Sequence, residues 1–141
     1  MSDDSIKLIS LPKIVDLRGN LSFLEDNNQI PFKIARSYWI YDVPGGEERG
    51  GHAYTNSAEF VIPLIGSLQV ELYQGDKKQT YTLNTPNKGL YLPKLTWRKV
   101  CNFLSGSICL IISDTYYNDC EYIRDFNTYI NRWKKEYDDI N

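Results

Sequence analysis

From Ile6 to Ser113 the chain is a succession of short apolar, β-branched and aromatic runs, each closed by a glycine, proline or Asx turn signal. Runs that short suit strands and fall below the ~11 residues of an average helix. Ile6 to Leu11 is the first, and Gly19-Asn20 marks a turn. Phe32 to Tyr41 alternates, with Ile34, Arg36, Tyr38 and Ile40 on one side and Ala35, Ser37 and Trp39 on the other. That is a period-2 strand carrying a polar row. Val43-Pro44-Gly45-Gly46 ends it. Glu59 to Leu64 and Ser67 to Tyr73 read as a pair joined by a hairpin-like step at Ile65-Gly66. Gln79 to Leu83 follows the turn at Gln74-Gly75-Asp76, and Gly89 to Leu92 is closed by Pro93. Trp97 to Phe103 and Ser107 to Ser113 form a further pair around Ser105-Gly106. This spacing predicts an all-β sandwich or barrel, in an order that fits a jelly roll.

The C-terminal segment changes period. Between Asp125 and Tyr137, Phe126, Tyr129, Ile130, Trp133 and Tyr137 fall on one face of a helix. Asp125 or Asn127 can cap it, and Lys134-Lys135 complement its C-terminal dipole. An apolar face of this kind predicts a lid over the sandwich more than a partner surface.

With 141 residues the chain is expected to form one domain, residues 1–141, with a core that needs no disulfide or metal. A net charge of -2 argues against nucleic acid. The acidic Met1-Ser2-Asp3-Asp4 start has no apolar signal region, and no apolar run approaches the ~20 residues of a membrane helix. Three cysteines, Cys101, Cys109 and Cys120, do not make a disulfide framework, so a cytoplasmic protein is expected. One histidine is too few for a zinc site, so no metal is expected.

The densest polar cluster is Glu47-Glu48-Arg49-Gly50-Gly51-His52-Ala53-Tyr54-Thr55. On a strand His52 and Tyr54 share a face, with Arg49 just upstream. The two glycines leave room for a ligand to approach the backbone. A His, a Tyr and an Arg at one mouth of a sandwich make an acid/base and anion site. Arg18, Arg36, Arg98 and Lys99 are further cationic candidates, since guanidinium forks match phosphate oxygens. Trp97 beside Arg98 is a candidate to stack on a base, or a core residue.

Asp16-Leu17-Arg18-Gly19-Asn20-Leu21, Glu25, Ile30-Pro31-Phe32 with Arg36 and Tyr38, and Arg49-Gly50-Gly51-His52-Ala53 together resemble the dTDP-4-keto-6-deoxyglucose 3,4-ketoisomerases. Gly89-Leu90-Tyr91, Trp97 and Tyr122-Ile123-Arg124-Asp125-Phe126 extend the likeness from about Ile6 to Ile130. The resemblance implies a cupin-type double-stranded β-helix and a dimer with exchanged N-terminal strands. It implies no metal or other cofactor, and a dTDP-linked 4-keto-6-deoxy sugar as substrate. The keto group moves from C4 to C3, on the way to 3-amino-3,6-dideoxy sugars of surface glycans. The family's base falls on His52, and the second histidine of its His-Ala-His pattern is replaced here by Tyr54.

On that reading His52 takes and returns the proton. Tyr54 and Tyr38 donate to the developing oxyanion. Arg49 and Arg18 hold the diphosphate or sugar, with Arg36, Arg98 and Trp97 also assigned to substrate. His52 returning the proton to the face it left gives the galacto product. Tyr54 or water acting on the other face gives the gluco product, and both stay open. A 3,5-epimerase-like cupin and a non-catalytic sugar-nucleotide-binding cupin are the alternatives.

Overall fold

The computed structural model describes residues 5–137. Twelve strands and one α-helix follow in chain order: β1 (Lys7–Ser10), β2 (Lys13–Ile14), β3 (Leu21–Ser22), β4 (Arg36–Ile40), β5 (Arg49–Tyr54), β6 (Glu59–Ile65), β7 (Leu68–Gln74), β8 (Lys77–Leu83), β9 (Lys88–Leu92), β10 (Trp97–Cys101), β11 (Ile108–Ser113), β12 (Tyr122–Ile123) and α1 (Phe126–Tyr137). Two five-stranded antiparallel sheets form, ordered β1-β9-β6-β11-β4 and β12-β5-β10-β7-β8. Val61, Leu90, Leu92, Cys109 and Ile111 of the first sheet meet Leu68, Val70, Leu72, Leu83 and Val100 of the second. Burying each large apolar side chain contributes ~1.5–3 kcal/mol before entropy is counted, so this layer is what holds the sheets face to face.

The expectation of an all-β chain closed by a helix holds. The two expected local pairs do not. β6 pairs with β9 and β11, and β7 with β10 and β8, so Ile65-Gly66 is a crossing between sheets and not a hairpin. Ser105-Gly106 likewise joins β10 of one sheet to β11 of the other. The two corners are tied together. Leu104 N donates to Ser67 O at 2.8 Å, and Ser107 Oγ accepts from Ser67 N at 3.1 Å and donates to Leu104 O at 2.6 Å. Gly66 has φ +87, and a Cβ there would collide with Ser107. A two-residue glycine step looks the same in sequence whether the chain folds back in its own sheet or crosses the layer. β7 and β8 do form a hairpin, turned at Gly75-Asp76 with Gly75 at φ +66.

The polar-row strand starts later than its alternation suggests, at Arg36. Asn27 N donates to Phe32 O at 2.9 Å and Ile34 N to Asp26 Oδ1 at 2.9 Å, so 32–34 is held by the preceding loop. Ile30 and Phe32 instead cover the outer side of the first sheet, against Phe60, Ile62 and Ile112. On the second sheet α1 is the expected lid. Asp125 caps it through Thr128 N at 2.9 Å. Tyr129 is fully buried among Ala53, Leu95 and Ile123. β2 and β3, around the turn at Asp16–Gly19, were not anticipated as strands.

Candidate active site

β5 carries the site, and its position follows from two glycines. Gly50 has φ +101, and a Cβ on it would press on the β10 backbone, 3.0 Å from Arg98 O. Gly51, at φ +72, has no Cα partner where His52 faces Arg98 and Gly50 faces Lys99, so it is the extra residue of a β-bulge. Gly50 thus serves close strand approach, while Gly51 faces open space as the sequence suggested. Past the bulge normal alternation resumes. His52 and Tyr54 point into a cavity of about 580 Å³, and Ala53 points back under α1.

Both sheets line this cavity: Tyr38 of β4, Glu59 of β6, Arg98 of β10 and the β5 residues, with Tyr122 and Arg124 at the rim. The His52 ring stands edge-on to Tyr54 at 4.8 Å and to Tyr122 at 5.2 Å between centroids. Burial and then the Arg98 guanidinium hold its pKa down to about 3, against a bond to the Gly50 backbone that favours the protonated ring. His52 is therefore neutral at pH 7. Its Nε2 is buried with no hydrogen-bond partner, as is Nη2 of Arg98 directly opposite in register. With the Gly50 bond on Nδ1, Nε2 is the bare, basic nitrogen.

Beneath the imidazole lies a charged floor. Arg98 Nη1 donates to Glu59 Oε1 at 2.6 Å, and Nε donates to Thr96 O at 3.2 Å. Tyr38 OH donates to Glu59 Oε2 at 2.8 Å. Arg36 Nη2 stands 3.6 Å from Glu59 Oε2 and 3.2 Å from Cys120 Sγ. Burial raises the affinity of Glu59 for a proton, while Arg98, Tyr38 and Arg36 oppose it. Burial and the Glu59 charge push both phenols up, Tyr54 to about 12 and Tyr38 further. The Arg98 guanidinium also lies 5.0 Å from the Tyr54 ring centroid.

Of the residues singled out in sequence, His52, Tyr54, Tyr38, Arg49 and Arg98 line the cavity. Arg36 lies behind its floor, over the Tyr38 ring at 4.8 Å. Trp97 is on the opposite face of β10 from Arg98, packed on Phe126 at 5.2 Å and Tyr129 at 5.7 Å. Lys99 pairs with Glu71 and Glu48 outside. Arg18 sits on an exposed turn, clamped to Asp16 by two bonds of 3.0 Å. Glu59, Tyr122 and Arg124 were not named as site residues. A lone carboxylate heading the apolar run Phe60–Ile65 was the available signal for Glu59. Among the described residues no group of three His, Cys, Asp or Glu is placed to hold a metal ion.

A neutral histidine, paired arginines and phenols in a sandwich mouth define an acid/base site for a polar, oxygen-rich ligand. The model of the FdtA family, described as WxcM-like, C-terminal, matches residues 4–134, and the chain belongs to that family. It is 37% identical over 123 residues to the TDP-4-oxo-6-deoxy-α-D-glucose-3,4-oxoisomerase of Aneurinibacillus thermoaerophilus, spanning 87% of this chain and 88% of that one. Among solved structures it resembles the 3,4-ketoisomerase QdtA of Thermoanaerobacterium thermosaccharolyticum, a His-to-Asn variant in complex with TDP-4-keto-6-deoxyglucose. The TM-score is 0.90 at 33% identity, over 97% of this chain and 99% of that one. A dTDP-4-dehydrorhamnose 3,5-epimerase of Bacillus anthracis shares the fold, with TM-score 0.71 at 17% identity, over 83% of this chain and 77% of that one.

Proposed function

We propose that this chain is a 3,4-ketoisomerase of a TDP-linked 4-keto-6-deoxyglucose, working without a metal. One observation carries the reading. The unpartnered Nε2 of a neutral His52 faces an arginine whose last guanidinium nitrogen is also unpartnered, inside a cavity large enough for a hexose. Such a pair accepts a proton from carbon while stabilising the oxygen that gains charge.

The steps follow from that geometry. His52 takes the proton from C3. The C–H pair becomes the C3=C4 double bond, and the carbonyl pair moves onto O4, where Arg98 and Tyr54 meet it. The O3 proton passes to O4, and His52 or Tyr54 delivers a proton to C4. The ketone then stands at C3 and a hydroxyl at C4. Arg49 and Arg124, exposed at the rim, are suited to the diphosphate.

The same reading makes the sandwich a cupin-type double-stranded β-helix and the chain a cytoplasmic homodimer. Support for the dimer is the run of exposed apolar side chains Ile14, Val15, Leu17 and Leu21, with Leu17 completely exposed. Arg18 stands within that run, so its role in substrate binding requires the second copy. Support for the compartment is the set of free thiols, Cys101, Cys109 and Cys120. No helix among the described residues is long and apolar enough to cross a membrane.

The test is product NMR after incubation with TDP-4-keto-6-deoxyglucose. A new C3 ketone is expected, and its C4 proton coupling reads the galacto or gluco configuration. Unchanged substrate, or a product still carrying its ketone at C4, contradicts the proposal.

A further inference from the structure

Glu59 opens a strand whose next six residues, Phe60 to Ile65, are apolar, and its side chain is 1% exposed. Its bonds all go to side chains at the cavity. Oε1 takes Arg98, and Oε2 takes the Tyr38 hydroxyl with Arg36 behind it. Buried ion pairs add little to stability compared with apolar packing of the same volume. This one also leaves Arg98 Nη2 and Arg36 Nε buried without partners. Fold stability therefore does not account for a carboxylate here.

Arg98 shows what it does. Thr96 O holds Nε, and Glu59 holds Nη1. Only Nη2 remains uncommitted, and Arg98 is the register partner of His52. A guanidinium fixed at two points has one orientation, so its free donor is aimed before substrate arrives. Tyr38 is fixed in the opposite sense. Its proton goes to Glu59, which leaves the phenol oxygen as an acceptor.

We propose that Glu59 is the positioning residue of the keto shift: it locks Arg98 as a donor and Tyr38 as an acceptor, so that the two oxygens of the reacting C3–C4 pair meet opposite polarities. The proposal rests on the isomerase reading. Arg98 meets the oxygen that becomes O⁻, and Tyr38 accepts a hydrogen bond from the hydroxyl on the neighbouring carbon, which orients that proton before it passes from O3 to O4. The carboxylate has a second consequence. It offsets Arg36 and Arg98 and adds to burial in keeping the phenols above it protonated, so its removal lets them ionise more easily.

Glu59→Gln and Glu59→Asp in the full chain test this, with kinetics on TDP-4-keto-6-deoxyglucose and ultraviolet titration of phenolate. Glu59→Gln is expected to lower kcat by ~100-fold, as a misplaced group does, with KM within a few-fold. The titration should move to lower pH. Glu59→Asp keeps the charge but shortens the reach, so kcat falls while the titration stays near that of the native chain. If Glu59→Gln does not fold, Glu59→Asp decides. A kcat within about twofold of the native value in either folded variant, or an unmoved titration in Glu59→Gln, overturns the proposal. If the native chain converts no 4-keto sugar, the isomerase reading fails while the titration still tests what Glu59 holds.

Discussion

A neutral imidazole is the starting state that proton abstraction requires, and burial with the Arg98 guanidinium supplies it. Because the His52 pKa is lowered from its usual ~6.5 to about 3, the ring stays unprotonated through mildly acidic pH. The kcat/KM of the native chain should therefore show no inflection between pH 7 and 5. A fall centred near ~6.5 would mean an ordinary, solvated histidine. Tyr54 shares the His52 face of β5 and is almost fully buried beside it. Tyr54→Phe is expected to lower turnover ~10- to 1000-fold, in the range of losing one oxyanion donor, with a smaller change in KM. An unchanged rate and product would remove the phenol from the chemistry. These residues were legible because strand alternation puts His52 with Tyr54 and Arg36 with Tyr38 whatever the tertiary fold. Glu59 was not, because its partners Tyr38 and Arg98 lie 21 and 39 residues away. Its place at the head of the apolar run Phe60–Ile65 marks the position but not the partners.

At the level of elements, α1 shows how much a well-patterned segment reveals. Its apolar stripe and its Asp125 cap were readable, and so was its place against the sandwich. What anchors it was not. Tyr129 OH accepts from Gly75 N at 3.0 Å, and lies 2.9 Å from Tyr73 O and 2.8 Å from Leu95 O. One phenol thus ties the β7–β8 turn and the loop before β10 to the helix. Tyr129→Phe leaves those backbone groups unpaired in an apolar cluster and should cost ~1–3 kcal/mol in urea unfolding. A loss below ~0.5 kcal/mol would mean that water replaces the hydroxyl. The two layer crossings at Gly66 and Gly106 were misread as hairpins for a different reason. Which sheet a strand joins is decided by its long-range partners, and the turn residues carry no record of them.

For the whole molecule, the 14–21 segment is the surface that a second copy would cover. Its exposed apolar side chains are costly for a chain that stays alone. A dimer by light scattering is expected, weakened at least ~10-fold by Leu17→Asp, which touches no core contact. A native chain that is monomeric at working concentration would contradict the dimer and leave Arg18 without a role. Sandwich architecture was legible from the rhythm of runs and turns. The cavity was not, because it is built where β4 and β6 of one sheet meet β5 and β10 of the other.

The central claim is that His52 moves a proton between C3 and C4. The most direct measurement is deuterium incorporation from D2O into TDP-4-keto-6-deoxyglucose, followed by NMR for the native chain and for His52→Asn. The native chain should place deuterium at C4 of the 3-keto product and, through the reverse reaction, at C3 of the recovered 4-keto substrate, and His52→Asn should bind the sugar nucleotide with almost no exchange at either carbon. Exchange at C3 and C5, or a His52→Asn variant that exchanges at near the native rate, would contradict it.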